Sequence, residues 1–133
     1  MFIGLLNKEQ QEALCSIIQF VAKIDGADDA REELLISALL AETSLDTMPA
    51  TADDQDAVEA LLDRFDTPVA RHSLLLEMMG VALADNNLHE AEVKAILAVA
   101  DALKVDREWV DRGRDYVQRT LELQREGNDL LRG

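Results

Sequence analysis

A single cysteine, Cys15, leaves the chain unable to form an internal disulfide or a thiolate metal cluster. It lies beside Leu14 in an apolar stripe, which marks it as a core residue rather than a nucleophile. Proline and glycine are scarce too, at 2 and 6 of 133 residues, so little interrupts regular backbone. With Ala, Leu, Glu and Asp abundant, that balance favours helices over strands. No segment alternates polar and apolar residues as a half-buried strand would. No run approaches membrane-spanning length. The opening Met1-Phe2-Ile3-Gly4-Leu5-Leu6 is apolar, but Lys8 and Glu9 cut it short and it lacks the basic start of a signal peptide. A cytoplasmic protein is the expectation.

Positive charge is the other shortage. Thirteen Lys and Arg face 27 Asp and Glu, a formal charge of −14. Residues 1–103 hold 20 acids and 6 bases, whereas residues 104–133 hold 7 of each. An acidic body repels phosphate backbones and anionic lipid, which argues against nucleic-acid and membrane-surface partners. It attracts cations and basic proteins instead, or simply keeps the surface solvated. Hydrophobic residues still make up 48%, enough for one globular domain over 1–133.

What the chain does have is an internal echo. Val21, Ala22, Asp25, Glu32, Ile36, Ala38 and Asp46 recur as Val81, Ala82, Asp85, Glu92, Ile96, Ala98 and Asp106, a shift of 60 positions (85 − 25) that also places Leu14 on Leu74. Such a repeat fixes architecture before any local reading. The units run roughly over 8–46 and 68–106, with a C-terminal helix over about 106–131.

Local signals fill in the helices. Asn7 and Gln10 cap a helix reaching about Ile24, whose buried face is Leu14, Ile17, Ile18 and Val21. Gly26 suits the left-handed residue that ends it. Asp29 with Glu32 opens a second helix to about Thr43, with Leu35, Ile36, Leu39 and Leu40 inward. A loop around Pro49 precedes a short acidic helix near 53–65. Thr67-Pro68 starts a helix to about Ala84, closed by Asn86 and Asn87. A fifth spans about 89–103, and Asp106 caps a sixth marked by Trp109, Gly113, Tyr116, Val117, Thr120 and Leu121. On its exposed side Glu108 is spaced for Arg112, and Asp115 for Arg119. The expected fold is all-α, a compact bundle of about six to seven helices built from two related helix-pair units.

The repeated polar residues are carboxylates at helix junctions, and two readings stand. In one, Asp25 holds free turn amides, Asp29 caps the next helix and Glu32 completes the box, with no ligand. In the other, Asp25, Asp28, Asp29 and Glu32 converge on a hard divalent cation, for which carboxylate oxygens are the preferred donors. This is not an EF-hand loop, because the twelfth residue from Asp25 is Ile36. The second junction offers Asp85, His89 and Glu92, a mixed set better suited to zinc than to calcium. Enzyme signatures are missing. Val93 stands where a zinc protease needs its second histidine, and no Gly-x-Ser-x-Gly elbow, phosphate loop or Glu-x-x-His pair occurs. His72 lies between Arg71 and Ser73 without an evident carboxylate, and Met78, Met79 and Trp109 read as packing. A non-enzyme is expected.

These residues resemble the TerB-like family, the tellurite-resistance-associated helical domains related to the central region of certain membrane-bound DnaJ-type co-chaperones. Its pattern is an apolar helix ending Ala-x-x-Asp-Gly, with Glu seven residues after the Asp. Ala22, Asp25, Gly26, Glu32 and Ile36 match one copy, and Ala82, Asp85, Glu92 and Ile96 the other, continued by Leu97, Ala100, Leu103 and Val105 before Asp106. The resemblance implies an all-α fold with two acidic clusters able to bind divalent metal, a loose association with stress from toxic oxyanions, and no established catalysis. Asn86 departs from the usual Gly, and His89 from the usual small or acidic cap.

Overall fold

The computed structural model describes residues 2–24, 26, 29–84 and 90–133, with backbone alone for Asp29 and Glu32. Among them are six α-helices: α1 (Lys8–Ile24), α2 (Asp29–Glu42), α3 (Gln55–Leu61), α4 (Pro68–Leu83), α5 (Glu90–Ala102) and α6 (Arg107–Arg132). No strand occurs among the described residues. The chain is all-α, as its composition favours.

The 60-residue offset reappears in the backbone. Adding 60 to the bounds of α1 gives 68–84 and to those of α2 gives 89–102, each within one residue of α4 and α5. It also relates the caps. Asn7 Oδ1 accepts from the Gln10 N–H at 2.9 Å, and Thr67 Oγ1 accepts from the Ala70 N–H at 3.1 Å, with Pro68 first in its helix. Gln10 Oε1 accepts in return from the Asn7 N–H at 3.0 Å, completing the expected box. The fold is thus two related helix pairs, α1–α2 and α4–α5, with α3 between them and α6 after them.

α1 and α4 form the centre. Ala13, Leu14, Cys15, Ile17, Ile18 and Val21 of α1, and Leu74, Leu75, Met78 and Ala82 of α4, are fully buried. α1 packs against α2, α3, α4 and α5, and α4 against α1, α5 and α6. α6 closes on α4 through Gly113, where an added Cβ would stand 3.3 Å from Leu76 Cδ2 and from the Trp109 ring. Asp106 Oδ1 caps it, accepting from the Trp109 N–H at 2.7 Å.

Two expectations need correction. The helix near 53–65 is shorter: α3 ends at Leu61 and a 3-10 turn (Leu62–Arg64) follows, tightened by the Phe65 N–H bonding to the Leu62 carbonyl at 3.0 Å. That turn swings Phe65 to full burial. α2 buries only Leu39 completely, leaving Leu35, Ile36 and Leu40 half-covered, because it packs chiefly against α1. α4 ends at Leu83 with Ala84 still in right-handed helical conformation, while the proposed closing residues Asn86 and Asn87 lie outside the described residues. On α6, Arg119 meets Asp115 at 2.9 Å as spaced.

Glutamines supply what the apolar pattern did not announce. Gln11 Oε1 accepts from both the N–H and the hydroxyl of Ser44 at 3.0 Å, and Gln19 Nε2 donates to the Pro49 carbonyl at 2.9 Å. With Ala52 N–H donating to the Ser16 carbonyl at 3.2 Å, they strap the connection after α2 onto α1. A loop with its polar backbone so satisfied can lie on the core.

Candidate functional site

The two helix junctions are where the carboxylates concentrate. At the first, α1 ends at Ile24 and Gly26 takes φ +74°, its N–H donating to the Lys23 carbonyl at 3.0 Å. Only glycine adopts that left-handed backbone without steric cost, so the expected turn forms. Asp25 and Asp28 lie outside the described residues, as do the side chains of Asp29 and Glu32. The backbone of Asp29 opens α2, one position later than a cap would sit.

At the second junction Asp85 and His89 lie outside the described residues. Glu92 is described, and it is 1% exposed in the first turn of α5. It shares a side of that helix with Ala95, Ile96 and Val99, all buried at the three- and four-residue spacing of one helical face. A carboxylate withdrawn from water needs polar compensation, and Glu92 has such an interaction. The positive end of α5 adds to it. Of the seven candidates, the structure therefore places one side chain, on the core side of its junction. Among the described residues no three of His, Cys, Asp or Glu converge to hold a metal ion.

The remaining reactive groups have structural explanations. Cys15 is fully buried, and burial pushes its thiol up to about 11, which keeps it protonated and inert at neutral pH. His72 stacks on Trp109 with ring centroids 4.4 Å apart and planes 14° from parallel. Burial holds the imidazole below its ordinary 6.5, with Arg112 and then Arg71 adding to the effect and Asp106 opposing it. The sequence assigns Trp109 to core packing, and it is half-buried as one wall of this stack. Asp106, distant from His72 in sequence, is the carboxylate that sequence could not pair with it.

Two concavities escape the sequence because each is built from separate helices. A cleft of about 230 Å³ lies between α4, α5 and α6, with Met79, Ile96 and Leu97 as floor and Arg107 and Arg114 at its edge. A groove of about 530 Å³ runs between α1, α2 and α4, lined by Ile18, Leu34, Leu35, Leu39 and Val81, with Gln124 of α6 at its border.

The family model described as Tellurite resistance protein TerB matches residues 11–115. The chain belongs to the TerB family. The match takes in both helix pairs from the first turn of α1 onward, both junctions and the capped start of α6, and it stops short of the last 18 residues (116–133). The TerB assignment agrees with the doubled Ala-x-x-Asp pattern and the all-helical architecture. No curated protein and no solved structure matches the chain. No helix among the described residues is long and apolar enough to cross a membrane.

Proposed function

We propose that this TerB-family chain is a non-catalytic, cytoplasmic protein that binds a divalent cation at each of its two related junctions. Asp25, Asp28, Asp29 and Glu32 would serve the first site, and Asp85, His89 and Glu92 the second. The observation that carries the reading is Glu92, a carboxylate at 1% exposure in the opening turn of α5, three residues after His89. The 60-residue offset of the helix bounds extends it to the first junction. An all-oxygen set fits calcium or magnesium, whereas an imidazole among carboxylates shifts preference toward zinc. The family description names tellurite resistance. A body this acidic repels oxyanions, so we assign any toxic-oxyanion association to cation or partner binding rather than to capture of the oxyanion.

Calorimetric titration of metal-stripped protein with calcium and with zinc tests this. Binding heat is expected in the native chain and should vanish in an Asp25→Asn, Asp85→Asn double variant. Heat that survives unchanged in that variant sinks the reading.

A second reading has an observation of its own. Asp53, Asp54, Asp56, Glu59, Asp63 and Asp66 are all exposed along and beside α3, with Arg64 the one base between 53 and 66. Such a face suits a basic protein partner, with the junction carboxylates merely locking two turns. It requires the same double variant to lower the melting temperature equally in chelator and in excess metal.

A further inference from the structure

The repeat builds one recess in each helix pair. In the first pair it is a small pocket of about 50 Å³ lined by Gln19, Ala22, Lys23, Leu35, Ile36 and Thr51. All of these but Leu35, shifted by 60, become Met79, Ala82, Leu83, Ile96 and Asp111. Those five line the cleft of about 230 Å³ between α4, α5 and α6. The two recesses are the same place in the fold, finished differently.

In the first pair the place is sealed. Gln19 Nε2 donates to the Pro49 carbonyl at 2.9 Å, and its Oε1 accepts from the Thr51 hydroxyl at 3.3 Å. The connection after α2 is thereby drawn down over the recess. In the second pair Met79 stands in place of Gln19 and Leu83 in place of Lys23, and neither side chain donates a hydrogen bond. Helix α6 borders the place here through Arg107, Val110, Asp111 and Arg114 and leaves it open.

The cleft rests on the core. Met79, Ala82, Ile96 and Val110 are buried, and Val93 and Leu97 beside them are half-buried. Water on such walls finds few polar partners, so an apolar ligand displaces it favourably. An apolar cavity of roughly 150 Å³ takes a six-carbon ring, which scales to about eight or nine carbons for this cleft.

Charge at the mouth selects the head group. Arg107 is engaged by Asp101 at 3.2 Å. Arg114 is exposed and takes part in no ion pair among the described residues. Its guanidinium presents a planar pair of donors that matches a carboxylate. Asp111, between the two arginines on the same helix, opposes an anion. The acidic body opposes it too, so a bare carboxylate without an apolar chain should not be held.

We propose that the cleft binds a free medium-chain carboxylate of about eight carbons. Its chain lies on Met79, Ile96 and Leu97, and its carboxylate meets Arg114 at the mouth. Glu92 is not among the lining residues, so the site stands apart from the cation reading of the junctions.

Calorimetric titration of the full chain with octanoate tests the proposal, in chelator so that no cation contributes, with octanol and acetate as parallel probes. Octanoate should saturate at one site per chain, octanol should bind several-fold more weakly, and acetate should give no heat. Arg114→Gln should weaken octanoate roughly tenfold and leave octanol unchanged, whereas Asp111→Asn should tighten octanoate alone. Leu97→Trp, which fills the floor from a half-buried position, should abolish binding of both while circular dichroism shows the chain folded. If that variant does not fold, the two variants of exposed residues still decide. Absence of octanoate binding overturns the proposal. So does octanoate that binds no tighter than octanol, is indifferent to Arg114→Gln, survives Leu97→Trp or fails to saturate near one per chain.

Discussion

The pairs α1–α2 and α4–α5 share helix lengths, N-terminal caps and a 60-residue offset, yet their second helices meet the core differently. Leu35, Ile36, Leu39 and Leu40 of α2 correspond to Ala95, Ile96, Val99 and Ala100 of α5. All four in α5 are buried, against one in α2. The α2 residues are equally or more apolar, so intrinsic hydrophobicity does not decide the outcome. The next element along the chain does. After α5, Asp106 caps a 26-residue helix that packs against both α4 and α5. After α2, the corresponding Asp46 lies in the Pro49 connection, which the glutamines strap onto α1 instead. Among the described residues no third helix packs closely over α2, and it borders an open groove that α6 reaches only at Gln124. Amphipathic pattern chooses a side of the helix, but coverage needs a partner.

The strongest way to break this comparison is one substitution made at both related positions. Ile96→Ala removes a side chain only 6% exposed and should cost about 2–4 kcal/mol, whereas Ile36→Ala, half-covered, should cost under about 1 kcal/mol. Urea unfolding of the two variants measures both. Equal losses would show that α2 is as well covered as α5. Native-state hydrogen exchange should agree, with α2 amides opening at lower free energy than those of α5.

A smaller effect tests what the pairs have in common. Asn7→Ala and Thr67→Ala each remove a cap oxygen that accepts one helix-start amide, and each should cost about 1 kcal/mol. Asn7→Ala should be the smaller, because the Gln10 side chain still accepts from the backbone N–H of residue 7 and keeps half of the box. Melting curves of the two variants give the ranking. If one substitution proves silent, the caps are not equivalent and the offset relates helix bounds alone.

Much of this fold is legible from residues. Caps at Asn7, Thr67 and Asp106 declare themselves because a cap is local: one oxygen, one amide three residues on. The left-handed Gly26 does too. The doubled pattern carries the order of the helices and the family. Burial of α2 is overestimated from sequence because a helical stripe says nothing of what lies opposite. Gln11 and Gln19 escape notice because their partners, Ser44 and Pro49, are some 30 residues away. Sequence names Glu92 only as one of seven junction candidates. It has no means of foreseeing that the carboxylate shares a face with Ile96 and Val99.

The smallest effect sharpens the comparison from the other side, since His72 lies on α4 where α1 has Glu12, and it touches the covering helix that the first pair lacks. Burial, Arg112 and Arg71 together hold its imidazole below 6.5. Above 6.5 the group is neutral in both folded and unfolded chains, and the stack with Trp109 contributes in full. As pH falls through 6.5 the unfolded chain binds a proton that the folded chain resists, so stability declines until the lowered folded value is passed, then levels off. Because the ring is partly exposed, the loss should be small, and His72→Gln should remove it. The midpoint is readable from the imidazole by NMR. Trp109, the chain's single tryptophan, should report the same transition in fluorescence if protonation acts on the α4–α6 contact. A midpoint at or above 6.5, or a pH slope untouched by His72→Gln, would mean that the stack does not couple α6 to α4 in this way.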